Sequence, residues 1–208
     1  MLEKQPAKKV VDFKLLAVGQ AGTPGQDELP NTEKELGCIQ ERAGLIRVDK
    51  LDGDNATVAN VLRGMQESSW VHLACHGTQD TVDPTKSALL LANGELQLST
   101  IANQSFPHAQ FAFLSACQTA TGDVKLEEEA VHLAAGMLLA GYPSIIATSW
   151  SIMDKDGPFV ADEVYKELFK NGQPDRSRAA WALHSAVQKL RLSGADFASW
   201  IPFIHLGE

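Results

Sequence analysis

Residues 70–77, WVHLACHG, are a run of strand-forming residues that ends in a histidine and a glycine. Residues 111–122, FAFLSACQTATG, hold a second apolar run, which ends in a cysteine among small polar residues. Neither run alternates strictly between apolar and polar residues, as is typical of strands buried on both faces of a parallel sheet. The strands are predicted at residues 70–75 and 111–116, so each is followed directly by a chemically capable side chain, His76 after the first and Cys117 after the second.

The rest of the chain alternates between strand and helix patterns. A capping box at residues 32–35 predicts the start of a helix, and Asn93-Gly94 between two apolar runs predicts a type I′ hairpin turn. Further strands are predicted at residues 13–19, 45–51, 144–150 and 198–206, and further helices at 57–68, 126–141, 159–170 and 178–192. This order predicts an α/β fold with a mostly parallel central sheet flanked by helices on both faces. Residues 1–12 are predicted to be a flexible N-terminal segment, and residues 13–208 a single domain.

Composition narrows the classes of function. The 208-residue chain has a net charge of −8 and a pI near 5.2, which argues against a nucleic-acid binder or a protein of anionic membrane surfaces. Its three cysteines form no CxxC pair and its histidines have no ligand spacing, so neither a disulfide scaffold nor a metal site is expected. The apolar stretch 131–150 contains a predicted turn, which favours helix–turn–strand over a membrane span. We therefore expect a cytoplasmic protein.

The predicted fold brings the two reactive residues to one edge. In open parallel α/β sheets, ligands bind at the carboxyl ends of the strands, where His76 and Cys117 lie. Strand alternation puts His72 and His76 on one face and Cys75 on the other, so Cys75 is expected to be a packing residue. A thiolate attacks carbonyl groups, and a nearby imidazole can take its proton. Gly77 leaves room for a substrate carbonyl, and its N–H can join that of Cys117 in an oxyanion hole.

These motifs resemble those of a known family. WVHLACHG and FLSACQTATG are similar to the histidine and cysteine motifs of the CHAT domain, a caspase/separase-like family named for its association with tetratricopeptide repeats. The resemblance continues through residues 126–152, LEEEAVHLAAGMLLAGYPSIIATSWSI, to the closing residues 200–208, WIPFIHLGE. It spans nearly the whole chain and is strongest toward fungal members. Family domains usually carry more sequence ahead of the first strand, so the chain resembles an excised core.

The resemblance implies a caspase-like fold and a cysteine endopeptidase that cleaves protein substrates. His76 is then the general base or acid, Cys117 the nucleophile, and the amides of Gly77 and Cys117 the oxyanion donors. No metal or organic cofactor is implied. The family's usual setting adds a regulatory repeat region in a longer parent chain, and a role in signalling, cell death or defence.

The resemblance also points to a specificity pocket after the strand at residues 144–150. Separase-like members use an acidic residue in this region to pair with a basic P1 side chain. Asp154 is placed to take that role, with Ser151 as a neighbouring wall and Trp150 as a further lining residue. The alternative is that Asp154 caps the following helix, because DKDGP is a good helix start. For Trp150, the alternative is that it is an ordinary core residue.

Two other classes of function remain open at this level. One is a non-catalytic interaction or scaffold module that keeps the caspase-like fold. The presence of both His76 and Cys117 argues for the peptidase, because a degenerate module would often have lost one of them. The other is a thiol-redox enzyme, for which the sequence offers no convincing resolving cysteine.

Overall fold

The computed structural model has one central sheet covered by helices on both faces. It describes residues 13–78, 80, 82–118, 131–149 and 152–208, of which 116–118, 131 and 132 are described by their backbone alone. The predicted flexible segment, residues 1–12, lies outside the described part. The eight strands are β1 Lys14–Gly19, β2 Arg47–Asp52, β3 Trp70–Thr78, β4 Ala88–Leu91, β5 Gly94–Gln97, β6 Phe111–Gln118, β7 Ser144–Thr148 and β8 Phe203–Gly207. The helices are α1 Thr32–Ala43, α2 Val58–Glu67, α3 Leu98–Ala102, α4 Val131–Leu139, α5 Asp156–Leu168, α6 Ala179–Leu192 and α7 Phe197–Trp200.

The sheet has the order β2-β1-β3-β6-β7-β8. The first five of these strands are parallel, and β8 closes the sheet as an antiparallel neighbour of β7. The antiparallel hairpin β4–β5 pairs with the last residues of β3, beyond the point where β1 ends. The predicted mostly parallel α/β architecture is therefore confirmed.

Two apolar layers hold the helices on the sheet. Helices α1, α5 and α6 pack on one face, over a core that contains the aromatic side chains of Trp70, Phe113 and Tyr165. Helices α2, α3 and α4 cover the other face, over Val71, Leu73 and their neighbours. Because both faces are buried, the strands need apolar side chains at successive positions, which explains the non-alternating runs. Within the described ranges, no helix combines the length and apolar character needed to cross a membrane.

The structure corrects two predicted local details. The capping box is wrong: Asn31 is the N-cap of α1, Thr32 bonds back to the carbonyl of Leu29, and Glu35 points into the core. The hairpin is present, but its turn lies one residue earlier than predicted, because Leu91 pairs with Gly94. No described residue other than glycine has a positive φ, so Asn93 does not form the predicted type I′ turn. Its side chain instead accepts a hydrogen bond from the amide of Val58.

Strand β3 is also longer than predicted. The sequence pattern ends the strand at Cys75, whereas β3 continues to Thr78. The extension exists because β4 supplies a pairing partner for the last residues of β3. His76 therefore lies inside a strand, and its backbone is fixed on both sides.

Substitution by alanine should have opposite effects on the free energy of unfolding at two helical glycines. A Cβ at Gly136 in α4 would lie 1.7 Å from Cδ1 of Leu98, so Gly136→Ala must displace the side chain of this first residue of α3. We expect it to lower the free energy of unfolding by about 1–3 kcal/mol. A Cβ at Gly37 in α1 meets no described atom within 4 Å, so Gly37→Ala should raise that free energy by about 0.5–1 kcal/mol. Urea unfolding of both variants tests this, and equal effects would contradict the close α3–α4 packing.

Candidate active site

The backbone register places the two predicted reactive residues side by side. Strands β3 and β6 are parallel neighbours, and His76 and Cys117 are Cα partners near their carboxyl ends. Gly77 pairs with Gln118 on this side and with Leu89 of β4 on the other. The histidine and the cysteine therefore lie on adjacent strands, at the carboxyl edge, where parallel α/β sheets bind ligands.

The imidazole of His76 is held by a backbone carbonyl. Its Nε2 lies 2.7 Å from the carbonyl oxygen of Asp27, in the loop between β1 and α1. A carbonyl oxygen only accepts, so Nε2 carries the proton and donates it to Asp27. Nδ1 is buried, and no described residue is hydrogen-bonded to it. In the neutral ring, Nδ1 is then the nitrogen with a lone pair, which is the one able to take a proton.

This orientation of His76 does not come from the nearest acidic residues in sequence. Asp80 accepts hydrogen bonds from the amides of Val82 and Asp83, and Asp83 accepts two from Thr85, one from its amide and one from its hydroxyl. Both carboxylates therefore stabilise the loop that follows β3. The group that fixes His76 is a main-chain oxygen 49 residues earlier in the chain, which no residue-type pattern reveals.

Asp154 joins the start of α1 to the segment ahead of α5. Its Oδ2 accepts hydrogen bonds from the backbone N of Asn31 at 3.0 Å and from the side-chain Nδ2 of the same residue at 2.6 Å. Helix α5 begins at Asp156 with Lys155 as its N-cap, so the alternative that Asp154 caps this helix is wrong. Asp154 is half-buried beside the loop that carries Asp27.

The other two predicted pocket residues, Trp150 and Ser151, lie outside the described residues. Their neighbour Ser149 is placed at the end of β7, where both its amide and its hydroxyl donate to the carbonyl of Pro202. Ser149 thus lies at the carboxyl end of β7, on the same edge of the sheet as the end of β6.

A buried polar cluster that the sequence analysis missed lies on the same face of β3 as His76. The Nε2 of His72 is 3.0 Å from Oε1 of Glu35 in α1, without the alignment of a linear hydrogen bond. The hydroxyl of Tyr165 in α5 is 3.3 Å from Nδ1 of the same ring. Burial, and then the charge of Glu35, raise the pKa of Tyr165 well above its usual range, so this hydroxyl stays protonated. The favoured arrangement has Tyr165 donating to Nδ1 and the Nε2–H facing the carboxylate.

Glu35 also meets the first turn of α5. A Cβ built on Gly157 would lie 2.7 Å from Oε2 of Glu35 and 3.2 Å from Oγ of Ser115, two positions before Cys117 on β6. Glycine is thus the residue that lets the helix start come this close to the carboxylate. A negative charge at a helix N-terminus is favourable, because the unpaired amides there carry positive potential. The cluster therefore ties α1, β3 and α5 together beneath the carboxyl edge.

Cys75, the other cysteine of the opening motif, lies on the opposite face of β3. It is fully buried in the core beneath α2 and α4. This position confirms that it is a packing residue. Across the described part of the chain, no three His, Cys, Asp or Glu side chains cluster closely enough to hold a metal ion.

Comparison with known proteins identifies relatives for most of the chain. The family model of the CHAT domain matches residues 2–208, and no curated protein matches. The chain is similar to the crystal structure of the Arg-specific cysteine proteinase gingipain R (RGPB), with 15% identity, a TM-score of 0.59, and coverage of 94% of this chain and 46% of that one. It is also similar to the complex of the Porphyromonas gingivalis RgpB pro- and mature domains, with 13% identity, a TM-score of 0.58, and coverage of 94% and 47%.

These structural likenesses bear on the fold. They confirm the predicted caspase-like architecture, with its mostly parallel sheet between two helical layers. The chain spans less than half the length of either gingipain chain.

Proposed function

The chain belongs to the CHAT domain family, and from that premise we propose that it is a cysteine endopeptidase acting through His76 and Cys117. The observation that carries this proposal is the register, in which these two residues are partners on neighbouring parallel strands. The likeness to cysteine proteinases of the gingipain type supports it at the level of the fold.

In the proposed reaction, Nδ1 of His76 takes the proton of the Cys117 thiol, and the thiolate attacks the carbonyl carbon of the scissile peptide. The N–H groups of Gly77 and Cys117 stabilise the negative oxygen of the tetrahedral intermediate. The imidazolium then returns its proton to the leaving amine, which gives a thioester and releases the first product. A water molecule, deprotonated by His76, hydrolyses the thioester and restores the free thiol.

The carbonyl of Asp27 has a defined part in this cycle. It accepts from Nε2–H of His76 in the structure, and it stabilises the imidazolium when Nδ1 is protonated. A carbonyl dipole does so more weakly than a carboxylate. The same bond keeps the ring turned so that Nδ1, rather than Nε2, is the nitrogen that exchanges protons with the thiol.

Specificity is the second part of the proposal. Asp154 pairs with an Arg or Lys side chain at P1, and Trp150 and Ser151 line the same pocket. The hydrogen bonds from Asn31 hold Oδ2 of Asp154 in place, which prepares the carboxylate to receive a guanidinium or ammonium group. We also propose that the substrate is a protein of a signalling, cell-death or defence pathway. We further propose that the chain is most similar to fungal members of the family, and that a longer parent chain carries a regulatory repeat region.

A peptide library that samples all P1 residues tests the activity and its specificity together. We expect the chain, in its full-length parent where one exists, to cleave after Arg or Lys. Substitution of Asp154 by Ala should lower basic-P1 turnover well over tenfold, because an unpaired partner of a desolvated charge pair costs about 2–5 kcal/mol. Labelling of Cys117 by a thiol-reactive probe should stay unchanged. No cleavage of any peptide would contradict the endopeptidase assignment.

The matched control is Asp154→Asn, which keeps an oxygen for Asn31 and removes the charge. Equal loss of basic-P1 turnover in both variants supports a charge pair with the substrate. Loss in Asp154→Ala alone assigns the effect to the Asn31 contact. A library preference for apolar or acidic P1 residues contradicts the role of Asp154.

A further inference from the structure

An exposed row of side chains runs along α6 and continues on α7. We call it the aromatic ridge, and define it as the exposed residues Trp181, His184, Arg191 and Phe197 together with the half-buried Trp200, which also packs against the core. Trp181 is 61% exposed and Phe197 is 71% exposed, unusually high values for large apolar side chains. Leu192, at the end of α6, adds a further apolar side chain that is 77% exposed.

The members of the aromatic ridge form two groups of side chains in contact. The rings of Trp181 and His184 have centroids 5.8 Å apart. The guanidinium carbon of Arg191 lies 5.4 Å from the ring centroid of Trp200, and the rings of Phe197 and Trp200 are 5.2 Å apart. Positions 181, 184 and 191 share one face of a helix, because they are three and seven residues apart. The ridge therefore consists of two contacting groups, Trp181 with His184, and Arg191 with Trp200 and Phe197.

The aromatic ridge ends at the same edge of the sheet as the candidate active site. Strand β8 is antiparallel to β7, so its first residue, Phe203, pairs with Thr148 at the carboxyl end of β7. Helix α7 comes just before this point, and Pro202 accepts hydrogen bonds from Ser149. At the other end of β8, Glu208 lies near Arg176, which comes just before α6. Helix α6 thus leads from the far edge of the sheet toward the edge of His76 and Cys117.

The charge of this region differs from that of the protein as a whole. Residues 176–195 contain four Arg or Lys residues and no Asp or Glu, in a chain of net charge −8. Three of these cations have carboxylate partners elsewhere, in the ion pairs Arg176–Glu208, Arg178–Glu167 and Lys189–Glu163. Arg191 packs on Trp200, and no described carboxylate pairs with it. The guanidinium group has five N–H donors and binds a carboxylate in bidentate geometry.

We propose that the aromatic ridge is an exosite, which docks a helical segment of the protein substrate away from the bond that is cleaved. The inference rests on the proposed peptidase function. The docked helix has an apolar stripe that covers Trp181, Phe197 and Trp200, and a carboxylate that pairs with Arg191. Trp and Arg are among the residues that most often dominate binding energies at protein interfaces.

The shape of the ridge favours a helix as its occupant. On α6 the ridge runs from Trp181 to Arg191, which at 1.5 Å per residue is about 15 Å. Apolar side chains at positions i, i+3 or i+4 and i+7 of a facing helix repeat at a similar spacing, which is how amphipathic helices dock on apolar surfaces. Pairing with Arg191 requires an acidic residue in the docked helix, whereas the proposed P1 pocket takes a basic residue. The two contacts therefore select different parts of the substrate.

A displayed library of amphipathic helical peptides tests the proposal directly. Peptides selected on the wild-type chain should carry an apolar stripe and an Asp or Glu at a fixed position beside it. By fluorescence anisotropy, Trp181→Ala and Arg191→Glu should each weaken the best peptide at least tenfold. Replacing the acidic residue of that peptide by Lys should restore its binding to the Arg191→Glu chain. Leu139→Ala, which removes an exposed apolar side chain of α4 in the opposite layer, should leave binding unchanged.

Cleavage provides the second readout and separates the two proposals. The selected helix, joined by a flexible linker to the best-cleaved short peptide, should raise kcat/KM at least tenfold over a scrambled helix. Trp181→Ala and Arg191→Glu should remove this gain and leave cleavage of the short peptide and probe labelling of Cys117 unchanged. Peptide binding without any cleavage would contradict the peptidase and leave the ridge as a helix-binding surface.

Three results would overturn the exosite. The first is that the selected peptides bind with the same affinity to the Trp181→Ala and Arg191→Glu chains. The second is concentration-dependent dimerisation that Trp181→Ala abolishes, which would assign the ridge to a second copy of the chain. The third is ridge-dependent binding to vesicles containing phosphatidylserine in the absence of peptide binding, which would assign it to a membrane surface.

Discussion

Cys117→Ala is expected to abolish both peptide cleavage and labelling by a thiol-reactive peptide probe, while the chain unfolds at the same temperature as the wild type. In the proposed reaction, the substitution removes the atom that forms the thioester. Of the other two cysteines, Cys38 lies in α1, and Cys75 packs on the opposite face of β3 from His76. Loss of a nucleophile from a peptidase lowers kcat by a factor on the order of a thousand to a million. The measurements are kcat/KM on the best library peptide, the labelled fraction by intact mass, and the thermal melt.

Cys75→Ala is the matched control for this experiment. Cys75 directly precedes His76 in β3, and its side chain packs on the opposite face of the strand. It belongs to the core, so the substitution should lower stability slightly by removing a buried sulfur, with kcat/KM and probe labelling retained. Equal loss of activity in both variants at unchanged melting temperatures would exclude Cys117 as the nucleophile.

The fold was largely predictable because its signals are repeated along the chain. The order of strands and helices, the burial of both sheet faces and the meeting of the two motif strands all follow from runs of apolar residues that the structure reproduces. The end of β3 was not predictable from its own residues. It depends on pairing with β4, which lies ten residues further along the chain and replaces β1 as the neighbour.

The placement of His76, Gly77 and Cys117 near the ends of neighbouring strands was predictable from residue type and strand position. The support of the candidate site was not predictable, because it comes from a main-chain atom and from distant elements. The carbonyl of Asp27 would be present with any side chain at that position. Asp154 gave a signal for two local roles, yet its observed partner, Asn31, is 123 residues away in sequence. Contacts at this range depend on how α1 and α5 pack, which no local pattern contains.

Glu35 shows most clearly how a local signal can mislead. Its position three residues after Thr32 fits a capping box, in which the glutamate is exposed and bonds back to the helix start. The structure turns it inward instead, where it is 3% exposed and faces His72. Two distant residues explain this position. His72 lies on the same face of β3 as His76, and Gly157 lies in the first turn of α5. Together they make room for a buried carboxylate and give it partners.

Glu35→Ala is therefore expected to destabilise the fold strongly, by at least about 2–3 kcal/mol. Removal of one member of a buried polar pair leaves the other without compensation, here the Nε2–H of His72, and opens a void against the first turn of α5. The cluster joins α1, β3 and α5, so the loss should appear in global unfolding rather than in local fraying. Urea denaturation followed by far-UV circular dichroism measures it, with an unchanged slope expected if both states keep their exposed surface.

Glu33→Ala supplies the comparison that separates burial from charge. Glu33 is in the same first turn of α1, two residues earlier, and its side chain is exposed. Both substitutions remove one negative charge from the same helix start, so they lose the same favourable interaction with the helix dipole, typically about 0.3–1 kcal/mol. Any excess loss in Glu35→Ala then measures the contacts with His72 and α5. Similar values for the two variants would mean that the buried cluster adds nothing to stability, and that α1 and α5 are held on the sheet by apolar packing alone.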